Sequence, residues 1–317
     1  MIFKNTFRLL FTNFNLTYKV FFYKLIILLI SFGISFAIGS QFYIALGEQG
    51  FYSQVTNEIY LAFTNFGPLQ IFTCLCNIFN LVLNIFVDLT TTQVTLGIVA
   101  LCVFFVLYYL LGSLSNLASL DCINANMSSK TKISFFKSLV AKIGKSIPFA
   151  LLRFVLMLPF LALSLTTLYF GFKFYSVATS EALKLTIPFI MFFIIALISS
   201  LYLTLITGFG ASIIINNKGT AKGFRLGLIA TGKKGLRVFS NALFISIILI
   251  IFNIFVGIFT FLGGLLISLP ISYIILRLFN AVCFYETMGM RYYIGEEIRS
   301  PSRLEEQDKF KDLKYIV

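Results

Sequence analysis

Long apolar runs separated by short basic segments organise this chain. Residues 25–129 contain no lysine and no arginine, although the full sequence has 25 of them. The positive residues gather elsewhere in four clusters, each beside an apolar run, which is the charge pattern of a multi-span membrane protein. The uncharged runs predict spans over 25–46, 94–117, 147–170 and 185–215. Residues 238–276 hold one more span and the start of a last one at 265–287, with Gly263-Gly264 as their turn. A run of about 20 apolar residues suffices to cross a hydrocarbon core of about 30 Å. Pro159 predicts a kink in the third span. The fold class expected is therefore all-α, a polytopic transmembrane bundle of six spans over residues 1–288. A polar tail follows over 289–317, where Ser302 and Glu305 have the spacing of a capping box.

Three basic segments have helical amphipathicity. In 1–24, Lys4, Arg8, Thr12, Asn15 and Lys19 share one face, and Phe3, Phe7, Leu10, Phe14 and Phe21 share the other. The apolar part of this segment is too long and starts too late for a cleaved signal peptide. In 120–146, Phe135, Phe136, Leu139, Val140 and Ile143 oppose Lys137, Lys142 and Lys145. In 216–237 stand Lys218, Lys222, Arg225, Lys233, Lys234 and Arg237. Each segment predicts a helix on the inner leaflet, with Lys4, Arg8, Lys19, Lys137, Lys222 and Arg225 as contacts to anionic headgroups. Phe7-Arg8, Phe136-Lys137 and Phe224-Arg225 open the three segments, and Lys24, Arg153 and Asn241 stand 17 residues after each phenylalanine. This register outlines three hairpin repeats starting near residues 1, 130 and 218. It makes Arg153 the counterpart of Lys24, snorkelling to the inner surface. Gly219, Gly223 and Gly227 recur every four residues and offer bare backbone to another helix or to headgroups, unless they mark a flexible loop.

Residues 47–93 carry only Glu48, Glu58 and Asp88 as charges. Gly67-Pro68 opens a helix there, since proline is tolerated at the first helical position. On that helix Gln70, Thr73, Asn77, Asn80, Asn84 and Asp88 share one face. If 68–88 spanned, the five lysines after residue 120 would move outside. If it lies in the outer interface or re-enters, every basic cluster stays inside, and the positive-inside rule favours this second layout.

Composition narrows the chemistry. Hydrophobic residues make up 59% of the chain and charged ones 12%, with mean hydropathy +0.95. A soluble domain carries about twice that charged fraction. The net charge of +13 belongs to membrane flanks and not to nucleic-acid binding. The absence of histidine removes the usual general base and metal ligand. The five cysteines are scattered and form no zinc or disulfide pattern. No catalytic constellation and no cofactor or metal site is expected. The candidate intramembrane polar residues are Arg277, Asn77, Asn80 and Asn84. A charged side chain inside a span marks function by default, unless Arg277 reaches the inner surface and only snorkels.

The run IIINNKG at 213–219, with TAKGFRLGLIATGKKGLRVFSNALF after it, and the run LPISYIILRLFNAVCFYETMGMRYYIG at 269–295 resemble a group of bacterial multi-span proteins. That group includes the membrane domain fused to some glycerophosphodiester phosphodiesterases. The resemblance implies a membrane domain without the catalytic module, so no catalytic residue carries over. The sequence thus points to a non-enzymatic plasma-membrane protein with both termini cytoplasmic. It would organise the membrane or act as an accessory subunit, with anionic lipid and a membrane-protein partner as its contacts. The alternative is a small-solute or lipid transporter.

Overall fold

The computed structural model describes residues 2–64, 67–232, 234–260 and 263–299. Lys233, the capping box at Ser302 and Glu305, and the side chain of Asp88 lie outside the described residues. Among the described residues the helices are α1 (Ile2–Thr12), α2 (Phe14–Glu48), α3 (Phe51–Thr64), α4 (Pro68–Asp88) and α5 (Thr91–Ser129). They continue as α6 (Phe135–Val177), α7 (Glu181–Ile215), α8 (Thr220–Gly232), α9 (Gly235–Phe259) and α10 (Leu265–Met288). A short antiparallel ribbon, β1 (Tyr292–Ile294) and β2 (Glu297–Arg299), follows. Six helices, α2, α5, α6, α7, α9 and α10, are long and apolar enough to cross a membrane. The protein is an all-α polytopic membrane bundle, as the apolar runs predict. Its spanning helices leave large apolar side chains such as Phe32, Leu165, Phe189 and Phe255 exposed, a surface suited to lipid tails and not to water.

The chain divides into two compact units. The first comprises Met1–Ile26, Leu110–Met157 and Ser199–Val317, and the second Ile27–Tyr109 and Leu158–Ile198. In the first unit α10 is the central element. Its most apolar window is 61% buried, against 11–28% for the other five spanning helices. From Ile274 to Glu286 every residue but Leu276 is buried, so this helix is enclosed on all sides. Gly289, in the left-handed conformation at φ 63°, caps its C-terminus.

The N-terminal segment departs from expectation. It is not one surface helix over 1–24. The α-helix breaks at Asn13, whose side-chain amide donates to the Leu9 carbonyl (2.9 Å), and α2 then runs straight on into the first span. Helix α1 packs on α10 and buries Ile2, Asn5, Thr6, Leu9 and Leu10. The reason is its neighbour: α10 offers an apolar face that the sequence of α1 alone does not reveal. The segment around residue 137 also differs. It is no separate surface helix but the first turns of the 43-residue α6, which continues through Pro159. Non-helical backbone occurs instead at Gly39 inside α2 (φ −100°, ψ 16°).

The glycine series of α8 is a helix-docking face. A Cβ on Gly227 would stand 2.6 Å from the Gly208 carbonyl carbon, so backbones of α8 and α7 touch. Gly223 sits against Ile213, and the Ser212 hydroxyl donates to the Gly223 carbonyl. Gly219 faces open space. Helices α9 and α10 are joined by Asn253, which donates to Ser272 Oγ (2.9 Å) and accepts from Ser268 Oγ (2.7 Å).

In the second unit α2 crosses α5 at small residues. Ser35 Oγ donates to the Ala100 carbonyl (2.9 Å), and a Cβ on Gly39 would meet the Ala100 methyl at 2.6 Å. Helix α4 begins at Pro68 after an extended Gly67, as predicted, and pairs with α3. Thr73 bonds the Tyr175 hydroxyl of α6 at 2.8 Å.

Candidate functional site

Four helices of the first unit bring two cations to one phenol ring and a third, Arg153, within electrostatic reach of one of them. Helix α2 supplies Tyr23 and Lys24, which donate to successive carbonyls of α5: Tyr23 Oη to Leu111 (2.7 Å) and Lys24 Nζ to Gly112 (2.9 Å). A Cβ at Gly112 would fall 2.7 Å from Lys24 Nζ, so a side chain there would displace the ammonium. Helix α10 supplies Tyr273 and, one turn on, Arg277. The ammonium of Lys24 lies 4.6 Å from the centre of the Tyr273 ring and the guanidinium carbon of Arg277 lies 5.0 Å from it. Both distances fit cation–π contacts, each contributing about 0.5–2 kcal/mol. Helix α6 supplies Arg153, whose Nε donates to the Tyr202 hydroxyl of α7 (3.1 Å). Lys24 feels the positive charges of both Arg153 and Arg277.

The Tyr273 hydroxyl is itself fixed. It donates to Asn116 Oδ1 (2.7 Å) and lies 2.8 Å from Ser115 Oγ. Asn116 is fully buried, and its Nδ2 has no hydrogen-bond partner among the described residues. Arg277 is 2% exposed, so it is a buried side chain and not one that snorkels to a surface. Lys24 and Arg277 stand no further apart than the sum of their distances to the shared ring. Two like charges about 10 Å apart repel by about 2 kcal/mol at an effective dielectric of about 20. The arrangement concentrates positive charge and hydrogen-bond donors, so it can hold an anion.

The other predicted polar residues are elsewhere. Asn77, Asn80 and Asn84 belong to the second unit. Asn77 donates to Glu58 Oε2 of α3 (2.8 Å), Asn80 is exposed, and Asn84 lines a recess with Gln49, Phe51 and Gln54. Among the predicted headgroup contacts, Lys4, Lys137, Lys222 and Arg225 are exposed and Lys19 is half-buried. Arg8 forms a two-pronged pair with Glu297 of β2 (2.8 and 3.0 Å). Its guanidinium holds the Glu297 carboxyl below its ordinary value. Nearby, the buried Tyr292 hydroxyl donates to Glu286 Oε1 (2.8 Å) and accepts from Asn5 Nδ2 (2.7 Å). Burial beside Glu286 pushes the Tyr292 phenol well above its ordinary value.

Tyr273, Asn116 and Gly112 were not singled out from sequence. One signal was present: Tyr273 and Arg277 are four apart on a helix and so share a face. Among the described residues no group of three or more His, Cys, Asp and Glu could hold a metal ion. The fold and the cluster define the class: a polytopic helical membrane protein with a cationic centre. No family model, curated protein or solved structure matches the chain.

Proposed function

We propose that this is a non-enzymatic multi-pass protein of the plasma membrane with both termini in the cytoplasm. It organises the membrane, or serves as an accessory subunit of a larger membrane complex, and contacts anionic lipid through its basic segments. One observation carries this reading. Among the described residues the first unit holds 18 lysines and arginines against Asp121, Glu286, Glu296 and Glu297, whereas the second holds Lys173 and Lys184 against Glu48, Glu58, Asp88 and Glu181. The compact units therefore coincide with a partition of charge, and positive residues accumulate on the cytoplasmic side of membrane proteins. The exposure of Lys4, Lys137, Lys222 and Arg225 supports contact with anionic headgroups.

The test is lipid retention. Each basic residue near an anionic surface contributes about 1 kcal/mol, so removing three charges weakens binding by about a hundredfold. Protein purified in neutral detergent and mixed with phosphatidylglycerol should retain the lipid and release it at high salt. The triple variant Lys137→Gln, Lys222→Gln, Arg225→Gln should retain far less. Equal retention by the two proteins would contradict the reading.

A further inference from the structure

We propose that Lys24, Arg153, Arg277 and the side-chain amide of Asn116 form a binding site for a phosphate group. The proposal concerns the interior of the first unit and does not depend on the exposed lysines. Three features converge. The charges of Arg153 and Arg277 both reach Lys24, and Lys24 and Arg277 share the Tyr273 ring at 4.6 and 5.0 Å. The same ring ties in Asn116, through the bond from its hydroxyl to Asn116 Oδ1 (2.7 Å). The other end of that amide, Nδ2, is a fully buried donor with no hydrogen-bond partner among the described residues. Buried donors are normally satisfied, so one left over on the amide that holds the Tyr273 hydroxyl points to an acceptor from outside the chain.

The chemistry of the donors selects the ligand. Guanidinium groups present planar forks that match phosphate and carboxylate oxygens, and an ammonium adds a compact charge. A tetrahedral phosphate offers oxygens in enough directions to meet donors arriving from α2, α5, α6 and α10 together. Gly112 keeps the space at its position for the Lys24 ammonium. The position along the helices fits as well. Lys24 and Arg153 each stand 24 residues before the C-terminal ends of their helices, Glu48 and Val177. At about 1.5 Å per residue that is about 36 Å, a little more than the hydrocarbon core of about 30 Å. Where those helix ends stand at the far edge of the core, Lys24 and Arg153 reach the opposite headgroup layer. The phosphate could belong to a lipid or be free, and the experiment separates the two.

Delipidated protein in neutral detergent is heated alone, with inorganic phosphate, and with phosphatidylglycerol, against sodium chloride at equal ionic strength. At least one of the two phosphate sources should raise the melting temperature beyond the chloride control. A response to phosphatidylglycerol alone assigns a lipid headgroup, a response to inorganic phosphate alone assigns the free anion, and a response to both shows a site open to either. Arg153→Gln and Arg277→Lys should each weaken the response by roughly tenfold or more, since a charge-assisted hydrogen bond is lost or misdirected. Lys132→Gln, an exposed charge elsewhere, should respond like the wild type. If Arg277→Lys does not fold, Tyr202→Phe, which keeps all three cations but releases Arg153 Nε, should also weaken the response. No shift beyond chloride with either source would overturn the proposal. So would an undiminished response in Arg153→Gln and whichever of Arg277→Lys and Tyr202→Phe folds.

Discussion

Replacing Gly227 by alanine should destabilise the first unit, although alanine is the better helix former. A Cβ at position 227 would stand 2.6 Å from the Gly208 carbonyl carbon, 2.7 Å from the Phe209 nitrogen and 2.9 Å from the Gly208 oxygen. All three are backbone atoms, so no rotamer change relieves the clash. Ordinary contact begins at 3.4 Å, which requires α8 and α7 to separate by the difference, about 0.8 Å. A gap of about that size removes a quarter to a half of the van der Waals attraction along the seam. It also stretches the bond from Ser212 to the Gly223 carbonyl, whose net contribution is about 1 kcal/mol. Overpacking typically costs about 1–3 kcal/mol, and the gain in helix propensity returns about 1. The expected net loss is up to about 2 kcal/mol. Gly144 supplies the control, because it lies inside α6 with nothing within 4 Å of its Cβ position. Gly144→Ala should gain about 0.5–1 kcal/mol from propensity alone. Thermal denaturation of the purified proteins in one detergent measures both. If Gly227→Ala melts at or above the wild type, the backbone contact does not exist as described.

Tyr292→Phe should cost about 1–3 kcal/mol, because it strips a buried bond from both Glu286 and Asn5; melting no different from wild type would refute this. Asn253→Leu should loosen α9 from α10 by about 1–2 kcal/mol, read by thermal denaturation, as two interhelical hydrogen bonds are lost. The Arg8–Glu297 pair carries a pH signature. The folded Glu297 carboxyl titrates below its ordinary 4.5, so its contribution is present above pH 4.5 and is lost as pH falls through the lower folded value. The melting difference between wild type and Glu297→Gln, small because the pair is exposed, should therefore vanish in acid and persist at neutral pH.

The spans were legible because lipid imposes long uncharged runs and leaves the backbone little choice but helix. The turn near Gly263-Gly264 and the start of α4 at Gly67-Pro68 were legible for a local reason, the conformational habits of those residues. Contacts between helices were not. Helix α1 has the periodicity of a surface helix, and nothing within it says that α10 will cover its apolar side. The crossing of α2 and α5 uses Ser35 and Gly39, four apart, while Gly33 of the same helix faces open space, a difference that neither residue type declares. Arg277 stood out in sequence as a charge inside a span. Tyr273 shares its helix, but Lys24 and Asn116 come from helices far apart in the chain, and only packing brings them to that ring. The ribbon at 292–299 escaped notice because strands of three residues carry almost no periodicity.

The central claim, a six-span protein with its basic segments in the cytoplasm, is tested most directly by thiol accessibility in intact cells. The native cysteines Cys74, Cys76, Cys102, Cys122 and Cys283 are first replaced. Single cysteines then enter at exposed positions: Asn57→Cys, Thr92→Cys, Lys132→Cys and Lys218→Cys. A membrane-impermeant thiol reagent should label positions 57 and 92 in intact cells, and positions 132 and 218 only after permeabilisation. Protection at 92 together with labelling at 132 would contradict the account, because α4 would then cross the membrane and carry the lysines after residue 129 to the outside.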